Sequence, residues 1–100
     1  MTDQKQRRVD ELKRELFDLE SKRKKIEDDI LLSKVVLENN RVGMKESLTD
    51  AEDFPRNDID VYAVRQARAK IIHLENDAKT VLNEMQSKLE ELHSLTRPAS

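Results

Sequence analysis

The stretch Gly43-Met-Lys-Glu-Ser-Leu-Thr-Asp-Ala-Glu-Asp-Phe-Pro-Arg-Asn-Asp-Ile-Asp-Val-Tyr-Ala-Val-Arg65 decides how the chain is read. It holds the only Gly, the only Tyr, one of two Pro and one of two Phe. Pro55 disfavours helix at Phe54, so the run from Asp50 to Pro55 reads as a loop. Asn57 or Asp58 is the expected N-cap of a helix on the C-terminal side, with Asp58 and Asp60 complementing the positive end of its dipole. Gly43, just after Asn39, Asn40 and Arg41, is the expected left-handed stop of a helix on the N-terminal side. The stretch is thus a break between two helices.

Outward from it, apolar residues step by three and four. Before the break they are Val9, Leu12, Leu16, Leu19, Ile26, Ile30 and Leu37, which fill the a and d positions of heptads except at Arg23 and Ser33. Phe17, Leu31, Leu32, Val35 and Val36 widen this face, which implies packing against more than one neighbour in the C-terminal half. After the break they are Val61, Val64, Ala67, Ile71, Leu74, Ala78, Val81, Met85, Leu92 and Leu95, with Lys88 in a d slot and Ile72, Leu82 and Leu89 thickening the stripe. The spacing predicts helices over residues 4–40 and 58–96, a connector over 41–57, and a helix stop before Pro98. Two matching seams and one connection fold back as an all-α, long antiparallel two-helix hairpin, coiled-coil-like, with Val9 near Leu92 and Leu95 and Ile30 nearer Val64 to Ile71. A tight hairpin needs only about two to eight linking residues, so the connector is expected to be ordered, with Met44, Leu48, Phe54 and Tyr62 partly buried at the closed end.

A chain of 100 residues with 40% charged and 3% aromatic side chains supports one small helical domain and a thin core. Its net charge of −2 gives no basic field for nucleic acid. The basic run Lys22-Arg23-Lys24-Lys25 is interleaved with Asp18, Glu20, Glu27, Asp28 and Asp29 and reads as a solvated face. No Cys is present, so there is no disulfide framework or thiolate chemistry. No run approaches the roughly 18 apolar residues of a membrane span. The expectation is a soluble, intracellular chain that meets neither membrane nor nucleic acid. His73 and His93 lack metal-site spacing, one Gly cannot form a phosphate loop, and no nucleophile has a convincing base beside it. The expectation is a non-enzyme without cofactor or metal. What remains is binding: Phe54, Pro55, Arg56, Asp58, Tyr62, Arg65 and Arg68 are the candidate partner residues, since aromatics and Arg dominate interface energetics. The competing reading has Phe54 and Tyr62 plug the hairpin end while Arg56 pairs with Asp53 or Asp60.

From Gly43 to about Lys79 the chain resembles a known family, most specifically in Phe-Pro-Arg-Asn-Asp-Ile-Asp-Val-Tyr, 54–62. It is similar to the N-terminal domain of the proteasome regulatory-particle assembly chaperones, the proteasome non-ATPase regulatory subunit nine family. Members pair this helical domain with a C-terminal PDZ domain. No PDZ-like segment occurs here, and the chain reads as an isolated N-terminal half ending at Ser100. The resemblance implies a cytoplasmic and nuclear chaperone of the regulatory-particle base that holds the C-terminal domain of one proteasomal AAA ATPase subunit and blocks premature association. A coiled-coil scaffold or homodimerisation module, with weak self-association, and a transcription-coregulator interaction domain are the alternatives.

Overall fold

The computed structural model describes residues 2–97. It is an antiparallel hairpin of two helices, α1 (Thr2–Asn39) and α2 (Val61–Thr96). Pro98, the expected stop of the second helix, lies outside the described residues; α2 closes with the Arg97 N–H donating to the His93 carbonyl at 2.9 Å. The rod measures 72 × 20 × 15 Å, and its radius of gyration is 21.2 Å, against about 13 Å for a compact domain of this length.

With only two layers, each helix buries one stripe. Val9, Leu12, Ile26 and Leu37 of α1 and Val64, Ala67, Ile71 and Val81 of α2 are buried, all at positions the heptads assign. Burying such a side chain contributes about 1.5–3 kcal/mol, so the fold depends on few residues. Ser33, in a d slot, is buried too. The main cluster lies near the connector, where Leu37 and Val42 meet Val64, Ala67 and Ile71, with Val36, Leu48 and Ile59 packed against them. Leu37 and Val42, rather than Ile30, are the residues clustered with Val64, Ala67 and Ile71. The widened α1 face does not find a second neighbour: Phe17, Leu31, Leu32 and Val35 are exposed, as are Ile72, Leu82 and Leu89 on α2.

Ion pairs bridge the helices at the open end. Arg8 forks onto Glu91 (Nε to Oε2 at 2.7 Å, Nη2 to Oε1 at 2.8 Å), and Lys88, the d-slot exception, reaches Glu15 at 2.8 Å. These cross-helix pairs are partly exposed and add little stability, but they show the antiparallel register, with Arg8 level with Glu91 and Glu15 with Lys88. Arg23, the a-slot exception, turns onto Glu20 and Glu27 of its own helix.

The helix ends differ from expectation. Arg41, not Gly43, adopts the left-handed conformation, with φ 56°. The Val42 N–H donates to Leu37 O at 3.1 Å and the Arg41 N–H to Glu38 O at 3.0 Å. This doubly bonded cap carries its usual apolar contact between residues five apart, here Leu37 and Val42 in one cluster. At the start of α2 the cap is Asp60, whose carboxylate accepts from the Ala63 N–H at 3.0 Å. Asp58 and Asn57 stand before it, and Asp58 is occupied by Arg56.

The caps can be tested by substitution. Arg41→Gly removes a side chain from the left-handed region and raises stability by about 1 kcal/mol, whereas Asp60→Ala lowers it by about 1 kcal/mol; thermal melts read both, and Asp58→Ala has the smaller effect. The open-end ion pairs respond to pH instead. Hydrogen bonding to Lys88 and to Arg8 holds the Glu15 and Glu91 carboxyls below their ordinary value of 4.5. Groups depressed in the folded state stabilise it above their unfolded value and lose that contribution as pH falls through the folded one. The melting temperature is therefore expected to fall below about pH 4.5, and to fall less in Arg8→Ala than in the parent.

Candidate functional site

The connector is held by side chains from both helices. Asn40, half-buried at the end of α1, donates from Nδ2 to Val36 O at 2.9 Å and accepts at Oδ1 from the Asp60 N–H at 2.8 Å. One side chain thus joins the last turn of α1 to the first of α2. Gly43 donates its N–H to Glu46 Oε2 at 2.9 Å, and a Cβ at Gly43 would lie 3.0 Å from Glu46 Oε1. Gly43 does not take a positive φ, and a Cβ there would ask only a small shift of the exposed Glu46 carboxylate. Arg68 reaches from α2 to donate from Nε to Gly43 O and from Nη2 to Glu46 O, both at 2.9 Å. The guanidinium fork spans two carbonyls that one ammonium could not hold in the same way.

Beyond Glu46 the chain makes a miniature hairpin. Asp50 N–H donates to Phe54 O at 2.8 Å and Arg56 N–H to Leu48 O at 3.0 Å. Thr49 and Pro55 face each other between these bonds, so the missing N–H of Pro55 costs the ladder nothing. The Asp50 carboxylate organises the tip by accepting from Glu52 N at 2.9 Å and Phe54 N at 3.0 Å, and Asp53 takes the left-handed turn position, φ 66°. Arg56, half-buried, forks onto Asp58 (Nε at 3.1 Å, Nη2 at 2.8 Å) and gives Nη1 to Ser47 O at 3.1 Å. Its partner is therefore Asp58, not Asp53 or Asp60, because Asp60 is committed to the cap. The Arg56 guanidinium in turn holds the Asp58 carboxyl below its ordinary range.

The candidate partner residues fall into two groups. Pro55, Arg56, Asp58 and Arg68 lie within this framework. Phe54 and Tyr62 do not plug the hairpin end: they are 62% and 73% exposed. Leu48 is the connector residue that packs on the core, while Met44 is exposed. Arg65 is exposed and takes no hydrogen bond or ion pair among the described residues. Tyr62, Arg65, Ala69 and Ile72 succeed one another at helical spacing and form an exposed stripe on α2. Reading Ile72 as a thickening of the seam missed that continuation; its spacing from Tyr62 and Arg65 was the available signal. An open groove of about 330 Å³ lies nearby, floored by Leu37, Val42, Met44 and Ile71 and rimmed by Lys34, Glu38 and Glu75. Among the described residues no group of His, Asp and Glu could hold a metal ion, and no helix is long and apolar enough to cross a membrane.

These features define a helical-hairpin domain with a braced connector and exposed aromatic and arginine side chains. Residues 16–94 match the family described as the Nas2 N-terminal domain, and the chain belongs to that family. It is 53% identical over 60 residues to the 26S proteasome non-ATPase regulatory subunit 9 of Drosophila melanogaster, covering 60% of this chain and 27% of that protein. The proteins of the same name from Homo sapiens and Mus musculus are 41% identical over 78 residues and 40% over 81, covering 77% and 80% of this chain. The chain spans 35% and 36% of those two proteins, about a third of their length. No solved structure matches it. All three relatives are named as non-ATPase regulatory subunits of the 26S proteasome.

Arg68→Ala is expected to release residues 43–46 while leaving the helices formed. Loss of two hydrogen bonds at about 1 kcal/mol each speeds amide exchange in the connector by roughly tenfold or more, with circular dichroism unchanged.

Proposed function

We propose that this domain is an assembly chaperone for the base of the proteasome regulatory particle, acting in cytoplasm and nucleus and without catalysis. It binds the C-terminal domain of one AAA ATPase subunit through its closed end. The covered surface then cannot dock early on a neighbouring ATPase or on the core particle. The observation that supports this most is the exposure of Phe54 and Tyr62, the two ends of the phrase that carries the family resemblance. Large aromatics held in solvent by a rigid frame favour association, since little ordering is left to oppose it.

The charge pattern fits a partner that must later be released. Arg65 and Lys70 on α2 are exposed, as are Glu46, Glu52 and Asp53 in the connector. Such a polar rim speeds encounter and weakens with salt, in contrast to the apolar interface of an obligate complex. Calorimetric titration with the isolated ATPase C-terminal domain tests the reading. A 1:1 complex that weakens with salt is expected, and Arg65→Glu lowers its affinity about tenfold with helicity intact. Affinity unchanged by that substitution at both low and high salt places the contact on another face; no binding at all overturns the role.

A further inference from the structure

The outer face of α1 carries a second heptad series that the hairpin does not use. Phe17, Ser21, Lys24, Asp28, Leu31 and Val35 are spaced four, three, four, three and four apart, and all six lie on one side of the helix. Phe17 and Val35 are 18 residues apart, which is five full helical turns, so they share one azimuth about 27 Å apart along the axis. Phe17 is 72% exposed, Leu31 60% and Val35 48%. Neither Lys24 nor Asp28 takes an ion pair among the described residues. This face lies opposite the buried stripe of Ile26, Ser33 and Leu37.

The series is complementary to itself when reversed. In an antiparallel pair of helices an a position faces a d position of the partner. Aligning two copies about an axis level with Ile26 sets Phe17 on Val35 of the other copy, Ser21 on Leu31, and Lys24 on Asp28. Two-fold symmetry makes each of these contacts twice. The opposite charges at the centre then meet across the axis, and the apolar residues meet at both ends. We propose that two copies of the chain associate through this outer seam of α1, antiparallel about the level of Ile26. One helix face offers less than the roughly 800 Å² per partner of a standard interface. The association is accordingly weak and reversible. It does not rest on the chaperone role, whose residues lie on the connector and α2.

Sedimentation equilibrium of the chain at low salt, carried to high-micromolar concentration, tests this. The apparent mass is expected to rise with concentration from monomer toward dimer. Lys24→Asp and Asp28→Lys, each exposed and each creating two like-charge contacts in the dimer, weaken association about tenfold or more. The double substitution K24D/D28K restores opposite charges across the axis and recovers association to within about twofold of the parent. A monomer at every concentration overturns the proposal and leaves the face to a foreign partner. A dimer indifferent to the single reversals, or not rescued by the double one, overturns this seam and register.

Discussion

Asn40 closes the hairpin by bonding the Val36 carbonyl on one side and the Asp60 N–H on the other. Much of the closed end depends on that link and on the fork of Arg68 to Gly43 and Glu46. Two long helices with one seam each can slide by a heptad at modest cost, because the seam repeats. Polar bonds between unique atoms do not repeat. They pin the closed end, while the partly exposed pairs Arg8–Glu91 and Lys88–Glu15 bridge the helices at the open one. Between the two, apolar burial supplies most of the stabilisation and little of the specificity.

The same division explains what was legible in the sequence. Val9, Leu12, Ile26, Leu37, Val64, Ala67, Ile71 and Val81 are buried as their spacing requires, since burial follows periodicity when there are only two layers. The ends were less legible because several residues compete for each special position. Gly43 was the natural left-handed residue, yet Arg41 holds that conformation. The five-residue separation of Leu37 and Val42 was the informative feature, because their contact fixes where the left-handed residue must fall. Among the acids before α2, Asp60 caps the helix because it directly precedes Val61, and Arg56 takes Asp58. Phe54 and Tyr62 were expected to be partly buried because the connector is longer than a tight hairpin needs. A rod of two helices has no third layer to cover them.

That shortage of cover shapes the surface. Phe17, Leu31, Leu32, Phe54, Tyr62 and Ile72 remain in solvent, where isolated apolar residues are ordinary but aligned ones signal contact. The connector and α2 set combines aromatics with exposed Arg65 on a hydrogen-bonded frame. The α1 set is aligned along one helix and carries opposite charges at its centre. The first suits a foreign, polar-rimmed partner, and the second suits another copy. Neither surface requires the helices to change, so both can act on the hairpin as it stands.

The proposed role turns on the closed end being the face that meets the ATPase. Titrating an unlabelled AAA ATPase C-terminal domain into isotope-labelled chain and mapping the shifted backbone amides tests this most directly. The predicted result is a contiguous set of shifts from Phe54 to Ile72, with the open-end amides around Arg8, Glu15 and Glu91 unmoved. Shifts confined to the open end or to the outer face of α1 would contradict it.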